Sequence, residues 1–277
     1  MDPWQAIAVA VLQGATELFP VSSLGHAVVV PALLGWQLDQ DGPSFLPFLV
    51  LLHLGTALAL LLFFWRDWWR LLRGVLGLAP AAETRAARRL FLLIVVATIP
   101  AVVVGAGLHA LLKALFGSPA IAAFVLMLNG LLLIATERVR GRGGARDLRD
   151  MTVADALVIG IWQCGALVPG ISRAGATMIG GLLRGLHHEG AAHFSFLIAT
   201  PIIFGATVHE APKLLHADIP PGVLPLAALA AVVAGIVAWL STAFLMRYFR
   251  QNDLMALNPF GYYCLLFGAA SLAWLLA

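Results

Sequence analysis

At 277 residues, 61% hydrophobic and 11% charged, with a mean hydropathy of +0.93, the chain has far fewer ionic residues than a soluble domain, where about 25% is usual. That excludes a soluble enzyme and leaves an integral membrane protein, one domain by length with room for several spans. The net charge of +3 does not point to nucleic acid, because the basic residues sit in loops between apolar stretches.

In chain order, the first apolar stretch, 4–36, does not read as a secretory leader. It follows Asp2 rather than a basic region and is broken by Pro20. Each of its halves is too short to cross, so it reads as a re-entrant helical hairpin, entering and leaving on one side. Such backbone is tolerated at depth only where protein or a wet cavity satisfies it. Spans are predicted at 44–65, 89–112 and 119–137, since about 20 apolar residues cross a bilayer core. The stretch 153–186 is broken like the first and reads as a second hairpin. Spans at 191–209, 222–246 and 258–277 complete the chain. The predicted fold is an all-α membrane domain over 1–277, with six transmembrane helices and two re-entrant hairpins.

The arginines set the orientation. Arg66, Arg70, Arg73, Arg85, Arg88 and Arg89 share one loop, and Arg138, Arg140, Arg142, Arg146 and Arg149 another. Arg184 follows the second hairpin, and Arg247 and Arg250 precede the last span. All of these fall on one side, which is therefore cytoplasmic. Lys113 and Lys213 fall on the other, and Arg173 lies inside a hairpin. Both termini are then outside, and the first hairpin opens outward. An offset of 150 aligns Gln13 with Gln163, Ser22 with Ser172, Gly25 with Gly175, Gly35 with Gly185 and Gly55 with Gly205. One hairpin plus three spans per half makes an inverted repeat, 1–140 and 151–277. Such repeats bind ligands near the midplane, where broken helices meet.

Each hairpin carries a polar island, and ionisable groups at that depth mark function by default. In the first, Gln13 and Glu17 are one turn apart on a helix that Pro20 ends. Ser22 or Ser23 is placed to cap the next helix, and His26 lies within one turn of both. Glu17 is the only carboxylate in either island and needs a partner or a metal. In the second, Pro169 and Gly170 turn the chain, Ser172 is a candidate cap, and Arg173 and Thr177 share a face. A helix N-terminus attracts anions, and a guanidinium clamps phosphate oxygens with two N–H groups. Arg173 also suits a counter-ion role toward Glu17. His187, His188 and His193 read as interfacial loop residues, and His53 as a buried or supporting group. Trp65, Trp68 and Trp69 read as an interfacial belt. Cys164 and Cys264 form no CxxC or zinc pattern and read as small buried apolar residues.

On these islands the chain resembles the undecaprenyl-diphosphate phosphatase family of membrane enzymes linked to bacitracin resistance. The family's (E/Q)xxxE motif matches Gln13 and Glu17, and its PVSSxGH run matches Pro20, Val21, Ser22, Ser23, Gly25 and His26. Its PGxSRSxxT motif matches Pro169, Gly170, Ser172, Arg173 and Thr177, with Ala174 where Ser is usual. Its FSFLxAxP segment matches Phe194 to Pro201. The resemblance implies removal of one phosphate from a polyprenyl diphosphate carrier lipid in cell-wall recycling. It also implies a divalent metal, Mg2+ or Ca2+, a site facing the periplasm of a bacterial inner membrane, and a homodimer.

On that reading Glu17, Ser23, His26 and Arg173 are catalytic. Ser22, Gly170, Ser172, Arg173 and Thr177 hold phosphate, and Glu17 and Gln13 hold the metal. The nucleophile is Ser23 activated by His26, His26 itself, or a water activated by Glu17; the sequence leaves all three open. The rival reading is a polyprenyl-phosphate transporter built on the same repeat. A phosphatidic-acid-phosphatase type of enzyme fits less well, for want of a downstream histidine–aspartate motif.

Overall fold

The computed structural model describes residues 2–36, 45–107, 118–140, 146–215 and 222–277. The predicted placements of Lys113 and Arg142, residue 44 of the first span and 108–112 of the second lie outside them. So does the side chain of Lys213. Among the described residues there are eleven α-helices and no strand ladder. They are α1 (Pro3–Thr16), α2 (Ser23–Leu33), α3 (Phe45–Phe63), α4 (Trp65–Val75), α5 (Ala81–Gly107), α6 (Pro119–Arg140), α7 (Val153–Gly165), α8 (Arg173–Leu183), α9 (His188–Leu215), α10 (Val223–Gln251) and α11 (Asn258–Leu276).

Five helices are long and apolar enough to cross a membrane: α5, α6, the His188–His209 part of α9, α10 and α11. A sixth crossing appears when α3 and α4 are taken together, although they are bent by 74° at Phe64. The chain is thus an all-helical, multi-pass membrane protein. The separate α4 is a correction, since the sequence reading put 66–88 in a loop. Its residues make an amphipathic helix. Leu71 and Gly74 are buried, and Gly74 lets Ala87 of α5 pack closely. Trp65, Trp69 and Leu72 stay exposed, and Arg66, Arg70 and Arg73 are interleaved with them. Along α5, Phe91, Val95, Ile99 and Val102 form one exposed apolar stripe, and α10 exposes Leu229, Val232, Ile236 and Trp239. In water such stripes would be a liability; against lipid they are solvated.

The two interrupted segments share one pattern. In the first, α1 ends at Thr16, the chain turns through 17–22, and Ser22 caps α2 by accepting from Gly25 N at 3.2 Å. In the second, α7 ends at Gly165, the turn covers 166–172, and Ser172 caps α8 by accepting from Gly175 N at 3.1 Å. At the 150-residue offset the starts of α1 and α7 coincide, as do both ends of α2 and α8. Gly35 and Gly185, which follow the second legs, both have positive φ (64° and 85°), where a side chain is strained.

The open ends of the hairpins are tied differently. Trp4 and Trp36 meet edge-on at 4.7 Å between ring centroids. In the second hairpin, Arg184 Nε donates to Asp155 Oδ1 at 2.6 Å and Arg146 Nη2 donates to Asp155 Oδ2 at 2.7 Å. Asp155 also closes a capping box with Thr152 at the start of α7.

The packing is crossed. α1 lies against α10, while α7 lies against α5. Gly14 and Gly160 permit this, because a Cβ at either would run into the backbone carbonyl of Ala234 or Ala97. α6 packs on α11, on α2 and on α8, so both hairpins converge on one helix. The largest core gathers Leu18, Leu133, Phe194, Phe196 and Phe249 beneath them.

Three expectations are corrected here. His188 is not an interfacial loop residue but is fully buried at the start of α9. Its Nε2 lies 2.7 Å from Glu137 Oε1 and its Nδ1 2.9 Å from Asp253 Oδ1. Arg140 Nη2 donates to the same Asp253 carboxylate at 3.1 Å. Four polar groups that satisfy one another can be buried where a lone one cannot. His193 also lies within α9, half-buried, with Nε2 3.3 Å from Asp67 Oδ2 of α4. Cys164 is only partly buried, whereas Cys264 is fully so.

Candidate active site

The site grows from the ends of two helices. The last turn of α1 and the residue after it put Gln13 and Glu17 on one face, and Glu17 N still bonds Gln13 O at 3.0 Å. Gln13 Nε2 donates to Glu17 Oε2 at 3.2 Å, and Ser23 Oγ, across the turn, donates to the same oxygen at 2.6 Å. From the second hairpin, Arg173 Nη2 donates to Glu17 Oε1 at 3.2 Å. Glu17 is 8% exposed and the Arg173 side chain 13%, so the pair is withdrawn from bulk water, where its attraction is strong. Gln13, Glu17, Ser23 and Arg173, far apart in sequence, form one hydrogen-bonded unit.

Arg173 is held from behind. Its Nη1 donates to Ser195 O of α9 at 3.3 Å. Thr177 Oγ1 donates to Arg173 O at 2.8 Å, which leaves the Ser195 hydroxyl, 2.6 Å away, to donate to Thr177. Ser195 lies in the FSFLxAxP segment, but the sequence reading gave it no role.

The two tips interlock. A Cβ on Gly25 would stand 3.1 Å from Gly170 Cα, and one on Gly175 would stand 3.4 Å from Pro20 Cβ. These two contacts exchange under the 150-residue offset. Gly170, at φ 104°, is squeezed against Val125 and Ala122 of α6, which no larger residue permits. Ser172 does more than cap α8, since its Oγ donates to Phe19 O at 3.2 Å. Ser22 has φ 72°, an uncommon value for a residue with a side chain; such strain concentrates at functional sites.

His26 is placed otherwise than beside the Ser23 hydroxyl. Its Nδ1 must donate to Ser22 O at 2.7 Å, since a carbonyl only accepts. Nε2 of the neutral ring then accepts from Tyr263 OH at 2.8 Å, and the ring stacks on Phe267. Both ring nitrogens are engaged away from Ser23. His53 Nδ1 donates to Leu49 O of its own helix at 2.9 Å.

Tyr263 gave no warning in the sequence, as one aromatic residue among many in a span. Asn129 did. It is fully buried in the apolar α6, and its Nδ2 donates to Pro20 O at 3.0 Å while its Oδ1 accepts from Ser172 N at 3.0 Å. A lone amide inside a predicted span is flagged by the rule that flagged the islands.

Among the described residues no group of three or more His, Cys, Asp and Glu gathers as a metal centre. The donors at the site are oxygens: one carboxylate, an amide and hydroxyls. That set fits a hard divalent cation shared with a phosphate ligand, and does not fit zinc or copper.

Fold and site together define a multi-pass membrane protein with a buried acid–hydroxyl–guanidinium cluster, groups that phosphoryl and acyl transfer employ. The family described as bacitracin resistance protein BacA matches residues 6–270, and the chain belongs to it. It is 64% identical to an undecaprenyl-diphosphatase of Granulibacter bethesdensis, over 99% of this chain and 97% of that one. Its identity to the undecaprenyl-diphosphatase of Acidiphilium cryptum is 58%, over 98% of each chain. To undecaprenyl-diphosphatase 2 of Chromobacterium violaceum it is 44%, again over 98% of each.

Proposed function

We infer that the chain is an undecaprenyl-diphosphatase, hydrolysing the terminal phosphate of a membrane-held polyprenyl diphosphate to the monophosphate and inorganic phosphate. Family membership and relatives of that name over the whole chain support it, and none of them favours transport. The observation that carries the chemistry is the Ser23–Glu17–Arg173 unit, with the serine hydroxyl 2.6 Å from the carboxylate.

In this reading Glu17 takes the Ser23 proton as Oγ attacks the terminal phosphorus. The bond from that phosphorus to the bridging oxygen breaks, and the lipid monophosphate leaves with the proton that Glu17 took up. Glu17, ionised again, then takes a proton from the water that attacks the phosphoserine and returns it to Ser23 Oγ as inorganic phosphate leaves. Arg173 lends its N–H groups to the phosphate oxygens, and Ser195 and Thr177 keep it aimed. Ser22, Gly170 and Ser172 shape the turns that receive the phosphates. His26, bound to Tyr263, supports the α2 start rather than the serine. Glu17 with Gln13 would hold Mg2+ or Ca2+. Such a cation offsets charge on phosphate oxygens when bound. The bilayer supplies the lipid, and a homodimer is compatible with the exposed apolar faces.

The same reading makes each interrupted segment a re-entrant hairpin of an inverted repeat. The matching helix bounds, the reciprocal tip contacts and the crossed packing support this. With the arginine-rich ends cytoplasmic, the Trp4–Trp36 mouth faces the periplasm and the Asp155–Arg184 mouth the cytoplasm. The test of activity is phosphate release from undecaprenyl diphosphate in detergent. The wild type should turn over, while Ser23→Ala should lose about 10³-fold or more and His26→Ala much less. A Ser23→Ala enzyme of near-normal rate would return the attack to His26 or to water.

A further inference from the structure

We propose that Asn129 is a positioning residue for this hydrolysis, its carboxamide locking the two hairpin tips in the register at which Arg173 meets Glu17. The inference rests on the reading of the site given above. An amide buried in the middle of an apolar span is costly unless its polar atoms are satisfied. Asn129 is 0% exposed, and both ends of its amide are used, one on each tip. Nδ2 donates to Pro20 O in the first turn, three residues beyond Glu17. Oδ1 accepts from Ser172 N in the second, one residue before Arg173. The remaining Nδ2 hydrogen points to Cys264 Sγ at 3.5 Å, which ties the clamp to α11.

The geometry explains why this bond reaches the chemistry. Arg173 is the first residue of α8, so a shift of the Ser172 backbone carries the guanidinium with it. Gly25 against Gly170 and Gly175 against Pro20 give the tips a close fit but no polar register. Apart from the Glu17–Arg173 pair itself, only the Ser172–Phe19 bond and Asn129 supply polar contacts between the tips among the described residues. A displacement of about 1 Å at reacting groups is enough to cost a rate of order 10²-fold.

The experiment compares purified wild type, Asn129→Ala and Asn129→Asp in detergent for kcat and KM across pH, with thermal unfolding measured alongside. The clamp predicts that Asn129→Ala lowers kcat about 10- to 100-fold while KM moves less than about threefold. Asn129→Asp keeps the volume and tests the hydrogen bonds themselves. Protonated, the carboxyl donates to Pro20 O and accepts from Ser172 N as the amide does. Ionised, it sets a charge against the Pro20 carbonyl. The rate of Asn129→Asp relative to wild type should therefore fall by about tenfold or more as pH rises from about 5.5 to about 9. A flat ratio, or an Asn129→Ala enzyme within about twofold of wild type, overturns the proposal. If the alanine protein fails to fold, the aspartate profile still decides. Wild-type turnover and a dead Glu17→Gln control test the site separately, so failure of the clamp and failure of the site reading are distinguishable.

Discussion

Glu17 carries three different demands on two oxygens. Oε2 accepts hydrogen bonds from the Ser23 hydroxyl and the Gln13 amide, and Oε1 accepts from Arg173. Among the described residues, removing its charge takes the counter-ion from Arg173 and, on the proposed mechanism, the base from Ser23, whereas removing Gln13 takes away one neutral donor. Glu17→Gln should therefore lower kcat/KM by about 10³-fold or more, and Gln13→Ala by about tenfold. Steady-state phosphate release checks the order, and the reverse ranking would put the base elsewhere. The same geometry suits Arg173 to the proposed double role of counter-ion and phosphate clamp: its two N–H-bearing ends reach Glu17 and Ser195 O, and on that proposal an entering phosphate competes for the first of them.

Among the helices, the two hairpins meet the same problem with different chemistry at their mouths. Asp155, fully buried, accepts from Arg184 at the end of the second leg, from Arg146, and from its own capping box. Among the described residues, Asp155→Asn takes from both arginines the carboxylate that pairs with them. They are 42% and 33% exposed, so water recovers part of the loss. The expected cost is about 1–3 kcal/mol, a fall of several degrees in the midpoint of thermal unfolding in detergent. Because the change lies at the far end of the hairpin from Arg173, kcat at a temperature where the protein is folded should change little. A large loss of kcat with no loss of stability would show that the mouth and the tip are coupled.

For the whole molecule, orientation and pH response are the measurable properties. Single cysteines at Leu24 and Ala27, both half-buried beside the site, should react with a membrane-impermeant thiol reagent added outside intact cells. A background freed of Cys164 and Cys264 is required, and a substrate analogue should protect both positions. Labelling from the cytoplasmic side alone would reverse the topology. At the other end, burial pushes the Asp253 carboxyl up. Hydrogen bonds from the His188 backbone and ring, together with Arg140, more than offset this and hold it below the ordinary carboxylate range. A carboxyl lowered on folding stabilises the protein above its unfolded pKa of about 3.9, and that share is lost as pH falls through the folded value. Asp253→Asn should then be less stable than wild type at neutral pH, and the gap in unfolding temperature should close below about pH 4. A gap that stays constant would assign the effect to packing rather than charge.

The sequence by itself determined the class of fold and singled out Gln13, Glu17, Ser23 and Arg173, which the structure gathers into one hydrogen-bonded unit. Hydropathy over lengths near 20 residues is a local property, so α5, α6, α9, α10 and α11 were legible. So were the two interruptions, because Pro20 and the Pro169-Gly170 pair break helices wherever they stand. Glu17 and Arg173 stood out because isolated charge in hydrocarbon is costly in any fold. Tertiary structure alone decided which groups meet. The pairing of Ser23 with Glu17 and of His26 with Tyr263 follows from how the α2 start is turned and how α11 passes it. The burial of His188 at the start of α9 depends on three partners, Glu137 and Arg140 from α6 and Asp253 from the α10–α11 connection. The bend at Phe64 goes with α4 packing on α5, a contact between separate segments. Asn129 shows the boundary between the two. Its isolation in an apolar span was visible in the sequence, but its two partners, Pro20 and Ser172, lie 109 and 43 residues away along the chain. No local pattern encodes such contacts, because they exist only once both hairpins have closed on the same helix.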